Sequence, residues 1–279
     1  MSLTGYFSIT RPLNSIISGL AAGIGFLVAT GTITPACLVL IPVVFCITAG
    51  GNVINDYFDA EIDAVNRPDR PIPSGAVQKR SAQLFALALF LVGILPALFT
   101  GPLCLALVIV NSLLLVVYAA RLKSMPFIGN LTVSYLAGSI FLFGGAFAGV
   151  SGLFSNIPLA VITFLATLAR ELLKDAEDVE GDAAGGARTL PMQIGIRNTG
   201  RLAFLCSILA IGASLIPVQR WGVWYLAGIA VVDCIILAAA IRALPCTTPA
   251  CIRETGSTTI LKAGFFTSLL VFSLAAYFL

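Results

Sequence analysis

The run Ile33-Thr34-Pro35-Ala36-Cys37-Leu38-Val39-Leu40-Ile41-Pro42-Val43-Val44-Phe45-Cys46-Ile47-Thr48-Ala49-Gly50-Gly51-Asn52-Val53-Ile54 passes directly into Asn55-Asp56-Tyr57-Phe58-Asp59-Ala60-Glu61-Ile62-Asp63. The first part, 33–54, holds no charge and is long enough to cross a hydrocarbon core as a helix. The second part sets Asp56, Asp59 and Asp63 at i, i+3 and i+7. On a helix that spacing puts all three carboxylates on one face. The same spacing returns far along the chain as Asp175, Asp178 and Asp182. Carboxylates this dense repel one another unless a cation lies among them. Hard oxygen donors in such a row suit Mg²⁺, which takes one or two carboxylates together with substrate phosphate oxygens. Two facing rows would clamp a diphosphate through bridging metal ions.

Composition agrees with a membrane protein. Of 279 residues, 58% are hydrophobic and 10% charged, and mean hydropathy is +1.01. A soluble domain carries about 25% charged residues. No hydrophilic stretch is long enough for a separate soluble domain, so residues 1–279 read as one membrane domain. Nine apolar runs approach the length of a span: 13–31, 33–54, 82–100, 102–120, 129–150, 157–174, 200–218, 221–242 and 257–279. The expected fold is therefore an all-α bundle of nine transmembrane helices. The first run lacks a convincing cleavage site and reads as a mature helix.

Basic residues orient the bundle. With the N-terminus inside, 15 of the 16 Lys and Arg fall at or near the cytoplasmic face, and only Arg220 lies opposite. Eleven of the 13 acids gather at that same face. The expected location is the cell membrane, multi-pass, with the chemistry on the cytoplasmic side. Two solvated loops would also hold acids, but ordinary loops do not repeat one spacing. The net charge of +3 gives no reason to invoke nucleic acid, and no obligate protein partner is evident.

There is no histidine. That removes His acid–base catalysis, His-ligated zinc and a Ser-His-Asp triad. The seven cysteines, including Cys246 and Cys251, read as reduced small hydrophobes. Asp233, near the middle of the eighth run, is a functional candidate because an ionisable group at that depth is costly.

Cations accompany the acids. Arg67 and Arg70 sit in Asn66-Arg67-Pro68-Asp69-Arg70-Pro71-Ile72-Pro73, where three prolines rule out a helix and predict a stiff, extended segment. Guanidinium groups suit phosphate oxygens, although the same residues serve positive-inside topology. Tyr118 and Lys123 close the fourth run at this face, where they suit a reacting oxygen and a phosphate, or plain interfacial anchoring. Lys174 abuts Asp175, and Arg188 follows the second row in a flexible Gly-Gly-Ala-Arg loop.

The combination Asn55-Asp56-x-x-Asp59-x-x-x-Asp63, Arg67-Pro68-x-Arg70-Pro71, Tyr118-x-x-x-x-Lys123 and Asp175-x-x-Asp178-x-x-x-Asp182 resembles the UbiA superfamily of intramembrane prenyltransferases. The resemblance implies a helical bundle around a central cavity, capped by two acidic loops. It implies that the six Asp residues hold Mg²⁺ and diphosphate, with Asn55, Arg67, Lys123 and Lys174 assisting. Within the family, Tyr6 to Asn14 and Asp178-Val179-Glu180-Gly181-Asp182 are most similar to an archaeal branch. That branch joins geranylgeranyl diphosphate to geranylgeranylglyceryl phosphate, a step toward ether-linked membrane lipids. An acceptor bearing phosphate wants a cation of its own, and Arg11 and Asn14 at the start of the first span are the candidates.

Other classes fit less well. A transporter would place ionisable groups along a pathway, whereas here they crowd one rim. A CDP-alcohol phosphotransferase would carry a D-G-x-x-A-R pattern, which is absent. An aromatic prenyltransferase of the quinone type shares the acidic motifs and is the runner-up.

Overall fold

The computed structural model describes residues 2–278. Met1 and Leu279 lie outside the described residues, including the final residue of the span expected at 257–279. Among the described residues there is no strand, and nine helices reach at least 19 residues. These are α2 (Pro12–Thr30), α3 (Leu40–Asn66), α4 (Lys79–Ala97), α5 (Pro102–Ala120), α6 (Ile128–Phe147), α8 (Ile157–Ala184), α10 (Ile196–Ser214), α11 (Val218–Ala243) and α13 (Ser257–Phe278). Each overlaps one expected span. Short helices α1 (Leu3–Ile9), α7 (Val150–Ser155), α9 (Leu190–Ile194) and α12 (Pro249–Thr255) lie between or before them.

Seven of the nine are long and apolar enough to cross a membrane. The exceptions are α8 and α10, so composition alone does not carry the expected count of nine. The reason is charge. The expected span within α8 ends on Arg170, Glu171 and Lys174, and the first turns of α10 hold Arg197 and Arg201.

Three further expectations need correction. The acidic rows are not loops. α3 continues to Asn66 and α8 to Ala184, so both rows lie on uninterrupted helix. The proline segment after α3 is non-helical, as expected, yet it folds into successive turns rather than an extended strap. Backbone bonds from Arg70 N to Arg67 O (3.0 Å), Ser74 N to Arg70 O (2.9 Å) and Val77 N to Pro71 O (2.8 Å) close those turns. The prolines supply the fixed φ that turns use. Finally, Cys246 and Cys251 form a disulfide rather than remaining reduced. They bracket the connection between α11 and α12, whose turn brings their Cα atoms to 5.5 Å. Cys37, Cys46, Cys104, Cys206 and Cys234 are free.

Two apolar cores share the bundle. One gathers α3, α4 and α5 with parts of α2 and α6, and the other gathers α8, α10, α11 and α13 with the remaining faces of α2 and α6. Each core thus carries one acidic row. The shared helices meet closely because glycine permits it. A Cβ on Gly144 of α6 would lie 2.1 Å from Ala22 O of α2, and one on Gly138 would lie 2.6 Å from Ala160 O of α8. Small residues let helix backbones approach where lipid offers no hydrophobic drive between helices. In this way α6 sits between the halves and carries Asn130 toward the second row.

Candidate active site

The first row is wrapped in cations. Asp56 and Asp63 are buried, at 4% and 6% exposure. Arg11 Nη2 donates to Asp56 Oδ1 at 2.6 Å. Arg70 Nη1 bridges Asp56 Oδ1 (3.2 Å) and Asp63 Oδ2 (2.7 Å). The turns after α3 aim that guanidinium back at the helix. Lys123 Nζ donates to Asp59 Oδ1, and Asn55 Nδ2 donates to Asp59 Oδ2 at 2.8 Å. Arg11 occupies the left-handed region (φ 47°) at the junction of α1 and α2. That backbone is uncommon for a non-glycine residue, and the ion pair to Asp56 lies at its end.

The second row is less covered. Asn130 Nδ2 of α6 donates to Asp175 Oδ2 at 2.8 Å. Lys174 Nζ lies 3.8 Å from Glu171 Oε2, one turn before Asp175. Tyr118 joins the two rows. It is within the electrostatic reach of Glu171 and Asp175 on α8, and of Asp59 and Arg11 on the other side. Arg188 N donates to Ser124 O at 3.3 Å, which ties the loop after α8 to the segment holding Lys123. The ends of α3 and α8 therefore share one end of the bundle.

Beside the second row lies an apolar cavity of about 370 Å³ among α2, α6, α8, α11 and α13. Ile17, Ala21, Ile140, Ile162 and Phe265 supply apolar walls. Asn14, Arg170, Glu171, Asp233 and Lys262 supply polar ones. Carboxylates and their partner cations thus stand beside a greasy chamber.

Residues 15–277 match the UbiA prenyltransferase family. The chain belongs to that family. It is 60% identical to a relative from Methanoculleus marisnigri named digeranylgeranylglyceryl phosphate synthase, over 99% of both chains. It is 59% identical to one of the same name from Methanoregula boonei, over 100% of both. A solved structure described as "Structural and mechanistic insights into the biosynthesis of Digeranylgeranylglyceryl phosphate synthase in membranes" superposes with a TM-score of 0.85. It is 33% identical and covers 99% of both chains. A UbiA homolog from Archaeoglobus fulgidus, solved bound to GPP and Mg²⁺, shares the fold at a TM-score of 0.63. That homolog is 17% identical, and the match covers 94% of this chain and 99% of that one.

Within this UbiA chain, some expected site residues stand apart. Arg67 caps α3 through its backbone, with N donating to Asp63 O at 2.8 Å, while the residue is exposed. Its side chain makes no ion pair among the described residues, and neither does that of Arg188. Arg11, expected at an acceptor phosphate, is instead held against Asp56. Asn14 lines the cavity, as its position on the first turn of α2 allows. Asp233 accepts from Ser214 Oγ at 2.8 Å, a hydroxyl partner on α10 that sequence spacing does not reveal.

Two residues that the sequence did not suggest also belong to the site. Asn130 is buried and committed to Asp175. Glu171 extends the second row by one turn, since 171, 175, 178 and 182 recur on one face. The i−4 spacing from Asp175 was the available signal.

Burial pushes the carboxyl of Asp175, one residue beyond the expected span, up to about 7. The Asn130 hydrogen bond and Lys174 oppose the rise, while Asp182 and Glu171 add to it. Asp182 is raised too, by burial and then by Asp178, against the pull of Lys174. Among the described residues, no three His, Cys, Asp or Glu converge as a ready metal cage. Mg²⁺ nevertheless fits the donor set. That ion generally takes one or two carboxylates together with substrate phosphates, so a preformed cage is not a requirement.

Proposed function

We propose that this chain transfers the geranylgeranyl group of geranylgeranyl diphosphate to geranylgeranylglyceryl phosphate, forming the second ether bond of archaeal membrane lipids. The observation that carries the reading is full-length identity of up to 60% with relatives named for this activity. The geometry fits it, with two acidic rows meeting at Tyr118 beside an apolar cavity. The names of these relatives also favour a glycerol phosphate acceptor over an aromatic one.

Asp56, Asp59, Asp63, Asp175, Asp178 and Asp182 would hold Mg²⁺ at the diphosphate. The metal supplies Lewis acidity and charge neutralisation as the leaving group departs. Arg70, Lys123, Arg11 and Lys174 add fixed positive charge where negative charge develops. Asn55 and Asn130 orient Asp59 and Asp175. The allylic C–O bond breaks with its electron pair on the diphosphate. The apolar cavity shields the resulting carbocation from water. The acceptor hydroxyl bonds to that carbon, and its proton passes to a site carboxylate or to the released diphosphate.

In the bilayer we place this end of the bundle at the cytoplasmic face, with nine crossings and the N-terminus inside. The basic residues support that orientation.

Product analysis tests the acceptor. Purified protein is given Mg²⁺ and geranylgeranyl diphosphate, with geranylgeranylglyceryl phosphate and 4-hydroxybenzoate offered separately. Conversion of the glycerol phosphate lipid alone is the expected result. Conversion of the aromatic alone moves the chain to a quinone-type reaction.

A further inference from the structure

Arg170 and Lys262 belong to neither acidic row, yet both line the apolar cavity. Arg170 is on α8, four and five residues from the Lys174–Asp175 pair, and Lys262 is on α13. Glu171 holds one side of Arg170, with Nη1 donating to Glu171 Oε1 at 2.6 Å. Arg170 Nε is buried and has no hydrogen-bond partner. A buried donor of a charged group left in this condition is unfavourable until an acceptor arrives. Lys262 is exposed and makes no ion pair among the described residues. Two cations with spare donors thus border a chamber whose other walls are mostly apolar. The acids near them are Glu171, shared with Arg170 and Lys174, Asp233, which accepts from Ser214, and Glu177, within electrostatic reach of Arg170.

We propose that Arg170 and Lys262 bind the phosphate of the glycerol phosphate lipid acceptor at the rim of this cavity. The inference rests on the function proposed above and assigns that acceptor a site. The donor's diphosphate is claimed by the two acidic rows and so does not need these cations. Arg11, the other cation considered for the role, stands at the first row against Asp56, where it serves the diphosphate. Arg170 precedes Asp175 by five residues, roughly 7–8 Å along the helix axis. Glu171, which holds Arg170, lies one helical turn before Asp175, so the cation stands near the second row. An aromatic acceptor has no phosphate for this pair to hold, so the same two residues would select the acceptor class.

Steady-state kinetics of Arg170→Gln, Lys262→Gln and Lys262→Arg test the assignment, varying each substrate separately. We expect each Gln variant to raise the acceptor KM about 10-fold or more, the loss of a charge-assisted hydrogen bond. The donor KM stays within about twofold of wild type, and Lys262→Arg restores most of the acceptor affinity. With geranylgeranylglycerol, which lacks the phosphate, wild type and variants should have similar KM values. An unchanged acceptor KM in Lys262→Gln, or donor and acceptor KM values rising together, overturns the site. Lys262 is exposed, so its variant decides the matter even if Arg170→Gln does not fold. A wild-type enzyme that converts no glycerol phosphate lipid overturns the proposed function itself, an outcome the wild-type control separates from failure of the site alone.

Discussion

Asp175 presents one half-buried carboxyl to the site. Its ionisation is pushed up to about 7, chiefly by burial. Metal binds the ionised form and must displace the proton. The sign follows from that competition. Below pH 7 the proton holds the carboxyl and Mg²⁺ affinity falls. Above pH 7 the carboxylate is free and affinity levels off. Calorimetric titration with Mg²⁺ and a diphosphate between pH 6 and 8 should show tighter binding at the higher pH and proton release at the lower. Asn130 orients the same carboxylate, and losing such an outer partner costs roughly 10–100-fold in metal affinity. Asn130→Ala should therefore raise the Mg²⁺ concentration giving half-maximal activity by about that factor, with the fold intact by circular dichroism. The carboxylates were legible in sequence because their i, i+3, i+7 spacing is a helical signal. Asn130 was not, since a lone Asn in an apolar run gives no hint of what faces it across 45 residues. Arg11 shows the same limit. Its position at a helix start was readable, but the reach to Asp56 depends on a left-handed backbone turn.

Among the helices, apolar length located all nine long elements, yet it misplaced their ends. Charge in the second half of α3 and α8 reads as the edge of a membrane, while the backbone keeps its helical bonds well beyond it. The prolines after α3 predict stiffness, and the fold uses them as turn formers. Nor does sequence reveal which glycines mark a helix contact. Gly144→Ala places a methyl against Ala22 O, where the available gap is 2.1 Å. Overpacking of that kind typically costs ~1–3 kcal/mol. Thermal unfolding in detergent should show a clear loss of Tm. Gly23→Ala on α2 meets nothing within 4 Å and should leave Tm unchanged or slightly raised. Equal losses from the two would contradict the packing described for α2 and α6.

For the molecule as a whole, the distribution of Lys and Arg sets an orientation that coordinates alone do not carry. Ser74 follows α3 and Ser151 lies in α7, at opposite ends of the proposed crossings. In a background without accessible thiols, Ser151→Cys should react with an impermeant thiol reagent in intact cells. Ser74→Cys should react only after permeabilisation. The reverse pattern would invert the bundle. Family membership was also legible at this scale, because four motifs occur in one order along the chain. The acceptor was not. It depends on cations such as Lys262 that belong to no motif and meet the second row only in the folded bundle.

The central claim is that two distant rows form one metal–diphosphate site that serves a glycerol phosphate lipid. Its most direct measurement is turnover of geranylgeranyl diphosphate and geranylgeranylglyceryl phosphate by wild type, Asp56→Asn, Asp175→Asn and the double variant. Each protein is assayed with Mg²⁺ and with chelator, and the product is weighed by mass spectrometry. We predict a two-chain ether phosphate that requires metal, a loss of roughly 10²–10³-fold or more for each single variant, and little further loss in the double, as for residues acting as a unit. Full turnover by either folded single variant, or unchanged product in chelator, would contradict the account.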